Sequence, residues 1–169
     1  MKWINHTIIS GSLTAIINPI AVPAAIVGGV APDLLEKFFA VKHHRKETHY
    51  LVIWIAATLF TIFVYDFNGI LFGLAFGGMT HILADSLSVS GVPFAPWAEN
   101  KFHLMGGKVR LGSPLEYIIS FSILIISCFV IYHTRAAGHF SPFFYHWGEL
   151  YDDGIIDGYE WRQHRLNIF

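Results

Sequence analysis

The sequence predicts an all-α fold: a polytopic helical bundle in a membrane, with its N-terminal stretch broken into a re-entrant helical hairpin. Three observations predict it. The 169 residues are 54% hydrophobic and only 14% charged, against roughly 25% charged in soluble chains, and the mean hydropathy is +0.50. The apolar residues gather in four stretches, 7–31, 50–67, 69–89 and 115–133. Ionisable residues beside those stretches fall mostly at one end of them, as they would at one membrane face.

The first stretch is interrupted near its middle by Asn18-Pro19 and by Pro23. Proline donates no backbone hydrogen bond and disfavours helix in the residue before it. Each half is about 12 residues, or ~18 Å at 1.5 Å per residue, too short to cross a core of about 30 Å. A hairpin that dips in and returns fits, since broken backbone is tolerated at membrane depth when protein surrounds it. A single kinked span is the alternative. The second, third and fourth stretches each approach the roughly 20 residues of a crossing, so about three full spans are expected, or four if the first crosses. In the third, Gly73 and Gly77 form a Gly-x-x-x-Gly pattern that lets helices approach closely, within the chain or between chains.

If the first stretch returns, Lys2 shares one side with the loop that carries Lys37, Lys42, Arg45 and Lys46 and the loop that carries Lys101, Lys108 and Arg110, while the short turn at 66–69 has no Lys or Arg; in a kinked span only the N-terminus moves. The positive-inside rule puts those loops in the cytoplasm under either course of the first stretch. Residues 1–133 form the membrane unit. Residues 134–169 form an aromatic tail whose Phe140, Phe143, Phe144, Tyr145, Trp147 and Tyr151 suit the headgroup level or a protein partner. Its acidic turns at Asp152, Asp153 and Asp157 lack EF-hand spacing. No basic tract suggests nucleic acid as a partner. The single Cys128 forms no intrachain disulfide and reads as a small hydrophobe. The N-terminus lacks a signal-peptide layout.

Five side chains with metal-ligand chemistry flank the apolar stretches: His6, Asp33, His49, His81 and Asp85. An ionisable group near a bilayer is costly unless paired or functional. His81 and Asp85 stand at i, i+4 and so share a helix face, a common start for a divalent-metal site. Asp33 ends the first stretch, His49 precedes the second, and Glu116 opens the fourth. A hairpin adds His6. Plainer readings exist: Asp33 can cap a short helix over 34–39, His43, His44 and His103 can reach for water, and a His81–Asp85 hydrogen bond can fasten helices.

Ala31-Pro32-Asp33, His44-Arg45-Lys46-Glu47-Thr48-His49, His81-x-x-x-Asp85 and Gly112-Ser113-Pro114-Leu115-Glu116 together resemble the YdjM-type inner-membrane proteins, described as metal-dependent hydrolases. The family pattern is roughly Pro-Asp-x-Asp, His-Arg-Gly-x-Thr-His, His-x-x-x-Asp and a later Glu, with an N-terminal His that His6 matches. The resemblance runs to about Tyr117 and leaves the tail unmatched. Leu35 stands where the family has its second Asp, with Glu36 beside it, and Lys46 replaces the glycine. The family is in turn similar to the zinc-dependent phospholipase C and single-strand nuclease superfamily. That resemblance implies that Asp33, His49, His81 and Asp85 hold a first metal, and that His6 and Glu116, with His44, contribute to a second. Trp3 invites comparison with the terminal tryptophan ligand of the phospholipases, but it is not the first residue here.

The implied cofactor is one or two divalent ions, zinc foremost, with manganese or iron as alternatives for mixed imidazole and carboxylate ligands. Such an ion lowers the pKa of water from roughly 15.7 to about 7. Arg45, and Lys46 beside it, would neutralise a phosphate, and Asp33 or Asp85 would act as general base. The resulting expectation is hydrolysis of a phosphoester in a lipid or lipid-linked substrate, with Asp33, Asp85, Arg45 and His44 as the catalytic set. A non-catalytic membrane adaptor, fastened by a metal or a His–Asp network, is the second reading. A proton or ion transporter is disfavoured, because its polar groups would extend to the far side.

Overall fold

Asn18 and Pro19 decide the course of the first apolar stretch. The computed structural model describes residues 1–38, 47–67 and 69–134. In it α1 (Trp3–Ile17) ends at Asn18, which leaves the helical region at φ −151° and accepts a hydrogen bond on its side chain from the Ile20 amide at 3.1 Å. Pro19 opens a single 3₁₀ turn, Pro19–Ala21. The chain then returns through α2 (Val22–Gly28) and α3 (Ala31–Phe38). The ends of this excursion meet: the Trp3 indole donates to Asp33 Oδ2 at 2.8 Å. A single kinked span would have kept those residues at opposite ends.

A 3₁₀ turn at Glu47–His49 leads into α4 (Leu51–Phe63), followed by α5 (Ile70–Ser86) and α6 (Pro114–Thr134). Gly69, at φ +75°, occupies the left-handed region that lets the chain enter α5 directly from the turn. α5 is the central helix, packed against α1, α2 and α4, whereas α6 leans on α1. The close approach of α5 to α2 depends on glycine. A Cβ at Gly77 would lie 2.3 Å from the Ala25 carbonyl oxygen, and one at Gly73 would lie 2.5 Å from that of Ala21. The Gly-x-x-x-Gly pair therefore serves packing within the chain.

The distribution of polarity is the reverse of a water-soluble core. Asn5, His6, Ser10, Thr14, Thr80, His81 and Asp85 are buried, and Ser10 and Thr80 share a hydroxyl–hydroxyl bond of 2.8 Å. Large apolar side chains face outward instead, including Phe63, 68% exposed, Ile125, 67%, and Phe129, 63%. Cys128 is exposed on the same helix. Contiguous apolar surface of this kind marks contact with protein or membrane.

The all-α expectation describes most of the described residues but not the loop between α5 and α6, where β1 (Val92–Pro93) and β2 (Lys101–Phe102) pair antiparallel, with Val92 opposite Phe102 and Pro93 opposite Lys101. The second and third stretches also yield shorter helices than their hydropathy suggested, 13 residues for α4 and 17 for α5. Among the described residues, two segments are long and apolar enough to cross a membrane, Pro19–Phe38 and Pro114–His133. α4 ends at Phe63, and in the turn that follows Asp66 points inward, where it accepts from the Phe72 amide of α5 at 3.0 Å. Burial raises the Asp66 carboxyl above the usual aspartate range, outweighing the backbone donors that lower it. Asp33 does not cap a helix over 34–39. That helix begins at Ala31, and Asp33 lies in its first turn, where the N-terminal dipole favours a carboxylate. Of the aromatic tail, only Thr134 falls within the described residues.

Candidate metal centre

The hairpin places the start of α1 against α3, and the central position of α5 brings its last turns beside both. His81 on α5 donates Nδ1–H to the Gly29 carbonyl at 2.7 Å. A carbonyl only accepts, so the tautomer is fixed and Nε2 carries its lone pair inward. His49, from the turn before α4, sets Nδ1 at 2.9 Å from Glu36 Oε1 and 3.0 Å from Thr48 Oγ1. With Nδ1–H given to that carboxylate, its Nε2 also faces inward. Such outer partners orient metal-binding histidines and raise their basicity.

The two inward nitrogens meet two carboxylates. Asp33 Oδ1 lies 3.4 Å from His49 Nε2 and 3.7 Å from His81 Nε2. Asp85 Oδ2 lies 4.0 Å from His49 Nε2 and 3.8 Å from His81 Nε2. The other Asp33 oxygen is the one held by Trp3, so each carboxylate turns one oxygen to the common point. Ligands about 2.0–2.2 Å from a tetrahedral ion sit roughly 3.3–3.6 Å from one another. The four nitrogen–oxygen separations, 3.4, 3.7, 3.8 and 4.0 Å, lie at or slightly beyond that spacing, and the donor set of two imidazoles and two carboxylates suits a divalent cation.

The second oxygen of Asp85 faces the other way. Oδ1 contacts the Met1 amine and lies 3.3 Å from His6 Nε2. The His6 ring stacks on that of His81 with centroids 3.8 Å apart, and its buried Nδ1 has no hydrogen-bond partner among the described residues. His6, His81 and Asp85 thus form one group of convergent ligand atoms, and Asp33, His49 and His81 another. His81 offers a single nitrogen, since Gly29 occupies the other, so it serves one ion. Asp85 is the residue able to face two positions at once. Burying these carboxylates demands compensation, which the Met1 amine supplies in part.

Five of the sequence-derived residues, His6, Asp33, His49, His81 and Asp85, are brought together. Glu116, expected as a ligand of a second ion, is held apart. Its Oε1 accepts from the Lys2 amide and from Asn5 Nδ2 at 2.7 Å, and its Oε2 from the Gly112 amide at 2.6 Å. Satisfied by those donors, the carboxylate tethers the N-terminal segment to the start of α6. His103 sits apart too, with Nδ1 3.3 Å from the Ser88 carbonyl. His44 and Arg45, and Lys46 with them, lie outside the described residues. Sequence reasoning missed Glu36 as the partner of His49. Its spacing from Asp33, i and i+3 on one helix face, was the available signal. Leu35, which replaces the family's second acid, is exposed, and Glu36 supplies the inward carboxylate instead. Trp3, discounted as a ligand, supports Asp33 through its indole.

No curated protein and no solved structure matches the chain. The family model described as YdjM inner membrane protein matches residues 1–147. The match takes in every residue of the cluster and extends past Tyr117 into the first part of the aromatic tail. With its outward apolar helices and most of its length matched, the chain belongs to the YdjM inner membrane protein family.

Proposed function

We propose that the chain is a membrane-embedded metal-dependent hydrolase that cleaves a phosphoester in a lipid or lipid-linked substrate at the cytoplasmic face. One observation carries the reading. Nitrogen and oxygen atoms from three separate segments, α3, the turn before α4 and α5, converge at one buried place, with the outward nitrogen of His49 and of His81 tied off by an acceptor. Helix fastening alone would be met by one His–Asp pair. Asp33, His49, His81 and Asp85 Oδ2 would hold a first ion, zinc by preference with manganese or iron as alternatives. His6, with Asp85 Oδ1, would serve a second. When bound, such an ion supplies a water with a pKa of about 7 and neutralises charge on the phosphoryl oxygens.

The chain's own residues then have distinct tasks. Asp33 keeps 17% of its side chain exposed against 1% for Asp85, so it is the carboxylate nearer to water and the better candidate for general base. It would take a proton as the water oxygen bonds to phosphorus. The ester P–O bond breaks, and the departing alkoxide takes that proton from Asp33 to leave as the alcohol, which returns Asp33 to its carboxylate. Glu36 and Gly29 keep the imidazoles aimed. Arg45 and His44 are proposed to meet the phosphate from the segment after α3. The C-terminal tail is proposed as an interfacial anchor or partner surface.

The test is metal analysis of the full-length protein in detergent, beside hydrolysis of lipid phosphomonoesters and phosphodiesters. Wild type is expected to copurify with near-stoichiometric metal and to release the alcohol, and His81→Ala and Asp85→Asn to lose both. Bound metal without hydrolysis would favour the adaptor reading. The adaptor reading has its own support: the Met1 amine contacts Asp85 and balances its charge in part without an ion. A protein that takes up no divalent metal would remove the hydrolase reading.

A further inference from the structure

Beside the metal centre lies a cleft of about 580 Å³ that the cluster does not use, lined in part by Met1, Ser88, Lys101, Arg110 and Leu111. It is joined to the centre at two points. Met1 lines the cleft and its amine contacts Asp85. Ser88 lines it too and donates its hydroxyl to the Asp85 carbonyl at 2.6 Å. The walls are tied by backbone bonds, from the Val109 amide to the Leu87 carbonyl at 3.0 Å and from the Val89 amide to the Val109 carbonyl at 3.1 Å. Lys101 stands on the opposite wall in register with Pro93. The volume falls in the range of small-molecule sites.

Its charge is opposite to that of the neighbouring carboxylates. Among the described residues, neither Lys101 nor Arg110 is ion-paired. Apolar residues of the lining project outward next to them, Val89 at 59% and Leu111 at 70% exposed. Two unpaired cations inside a cleft, with exposed apolar side chains beside them, suit a molecule that is anionic at one end and greasy at the other. Guanidinium and ammonium groups bind phosphate by charge-assisted hydrogen bonds.

We infer that this cleft is an anion subsite in which Lys101 and Arg110 hold the phosphate group of the substrate as it enters the metal centre. Calling the anion a substrate rests on the hydrolase reading; the binding itself does not. The chemistry is shared by a lipid headgroup and by a soluble phosphate ester, so the test includes both. Full-length protein in neutral detergent is titrated with dihexanoyl phosphatidic acid, glycerol 3-phosphate and dihexanoyl phosphatidylcholine, with calorimetry as the readout, in the presence and absence of chelator. The phosphatidic acid is expected to bind more tightly than the phosphatidylcholine. Lys101→Glu and Arg110→Glu are each expected to weaken it about tenfold or more, the scale of one charged hydrogen bond. Lys108→Glu, an exposed charge of the same loop outside the lining, should leave it nearly unchanged. Equal affinity for glycerol 3-phosphate identifies a soluble ester as the source, and a clear preference for the phosphatidic acid identifies a lipid.

The inference is overturned if neither cleft variant weakens binding, or if Lys108→Glu weakens it as much, since either result means a diffuse surface charge. Because the cleft residues are exposed, their variants are checked by monodispersity and metal content, both expected to match wild type. Phosphatidic acid binding that survives chelation and still depends on Lys101 and Arg110 upholds the subsite even where no ester is hydrolysed. Metal-dependent hydrolysis indifferent to both residues rejects the subsite and keeps the hydrolase.

Discussion

α5 and α6 look alike as strings of apolar letters and occupy opposite situations in the fold. α5 is enclosed by α1, α2 and α4 and carries His81 and Asp85. α6 touches α1 along one narrow face, where Glu116, Ser120 and Ser127 are buried and the Ser120 hydroxyl donates to Asn5 Oδ1 at 2.8 Å. Its Phe121, Ile125, Ile126 and Phe129 all point away from the protein. Hydropathy does not separate the two, because lipid is as apolar as leucine and exerts no hydrophobic sorting. Side-chain size and polarity do. α5 offers Gly73, Ala75, Gly77, Gly78 and Ala84 to its neighbours, and α6 offers bulk to the outside.

The contrast breaks most visibly at Gly77. Its Cβ position is blocked by backbone, the Ala25 oxygen at 2.3 Å and the Gly29 amide nitrogen at 2.9 Å, so no side chain can move aside. Gly77→Val is expected to cost about 3 kcal/mol or more, the upper range of overpacking. It should also disturb the site, because the displaced Gly29 is the acceptor that aims His81. Thermal loss of monodispersity in detergent, with metal content measured on the surviving fraction, checks both. A variant as stable as wild type would mean that α2 and α5 are not in contact as described.

Glu36→Gln probes the outer support of the site at smaller cost to the fold. The amide keeps the shape but weakens the acceptor for His49 Nδ1–H, and losses of this kind lower metal affinity roughly 10–100-fold. Competition with a chromophoric chelator measures it. An unchanged affinity would show that Glu36 plays no part in orienting His49.

On α6 the matching probe is Glu116→Gln. Its carboxylate accepts from the amides of Lys2 and Gly112 and from Asn5, and an amide group would set a donor against one of those donors. A loss of about 1–3 kcal/mol is expected, with metal content retained. The opposite pattern, intact stability with depleted metal, would make Glu116 a ligand after all.

Parts of this arrangement were legible before any coordinates. The His81–Asp85 spacing put both on one helical face, Asn18-Pro19 announced the reversal that brings the start of α1 back to Asp33, and the clustering of ionisable residues at stretch ends located Asp33 and His49. What stayed hidden depended on contacts between distant segments. Glu36 is recognisable as a support only once His49 lies against it. Gly29 acts through a carbonyl, and Glu116 is held by amides, groups that every residue carries and no sequence pattern marks. The early end of α4 was hidden for a different reason: the apolar run continues to Phe67, four residues beyond the last helical residue, Phe63.

The smallest effect is expected on the outward face of α6, and it is the most direct check on which helix is which. Ile125 is 67% exposed, and Ile125→Leu conserves volume and polarity where the side chain stands largely clear of the other described residues. Its effect should stay within about 0.5 kcal/mol, whereas the same exchange at Ile82 on α5, which is fully buried against Leu51 and Val92, should cost up to about 1.5 kcal/mol. Paired unfolding measurements in one detergent compare them. If Ile125→Leu were the costlier of the two, α6 would have to be packed against something beyond the described residues, and its outer face would belong to an interface rather than to lipid.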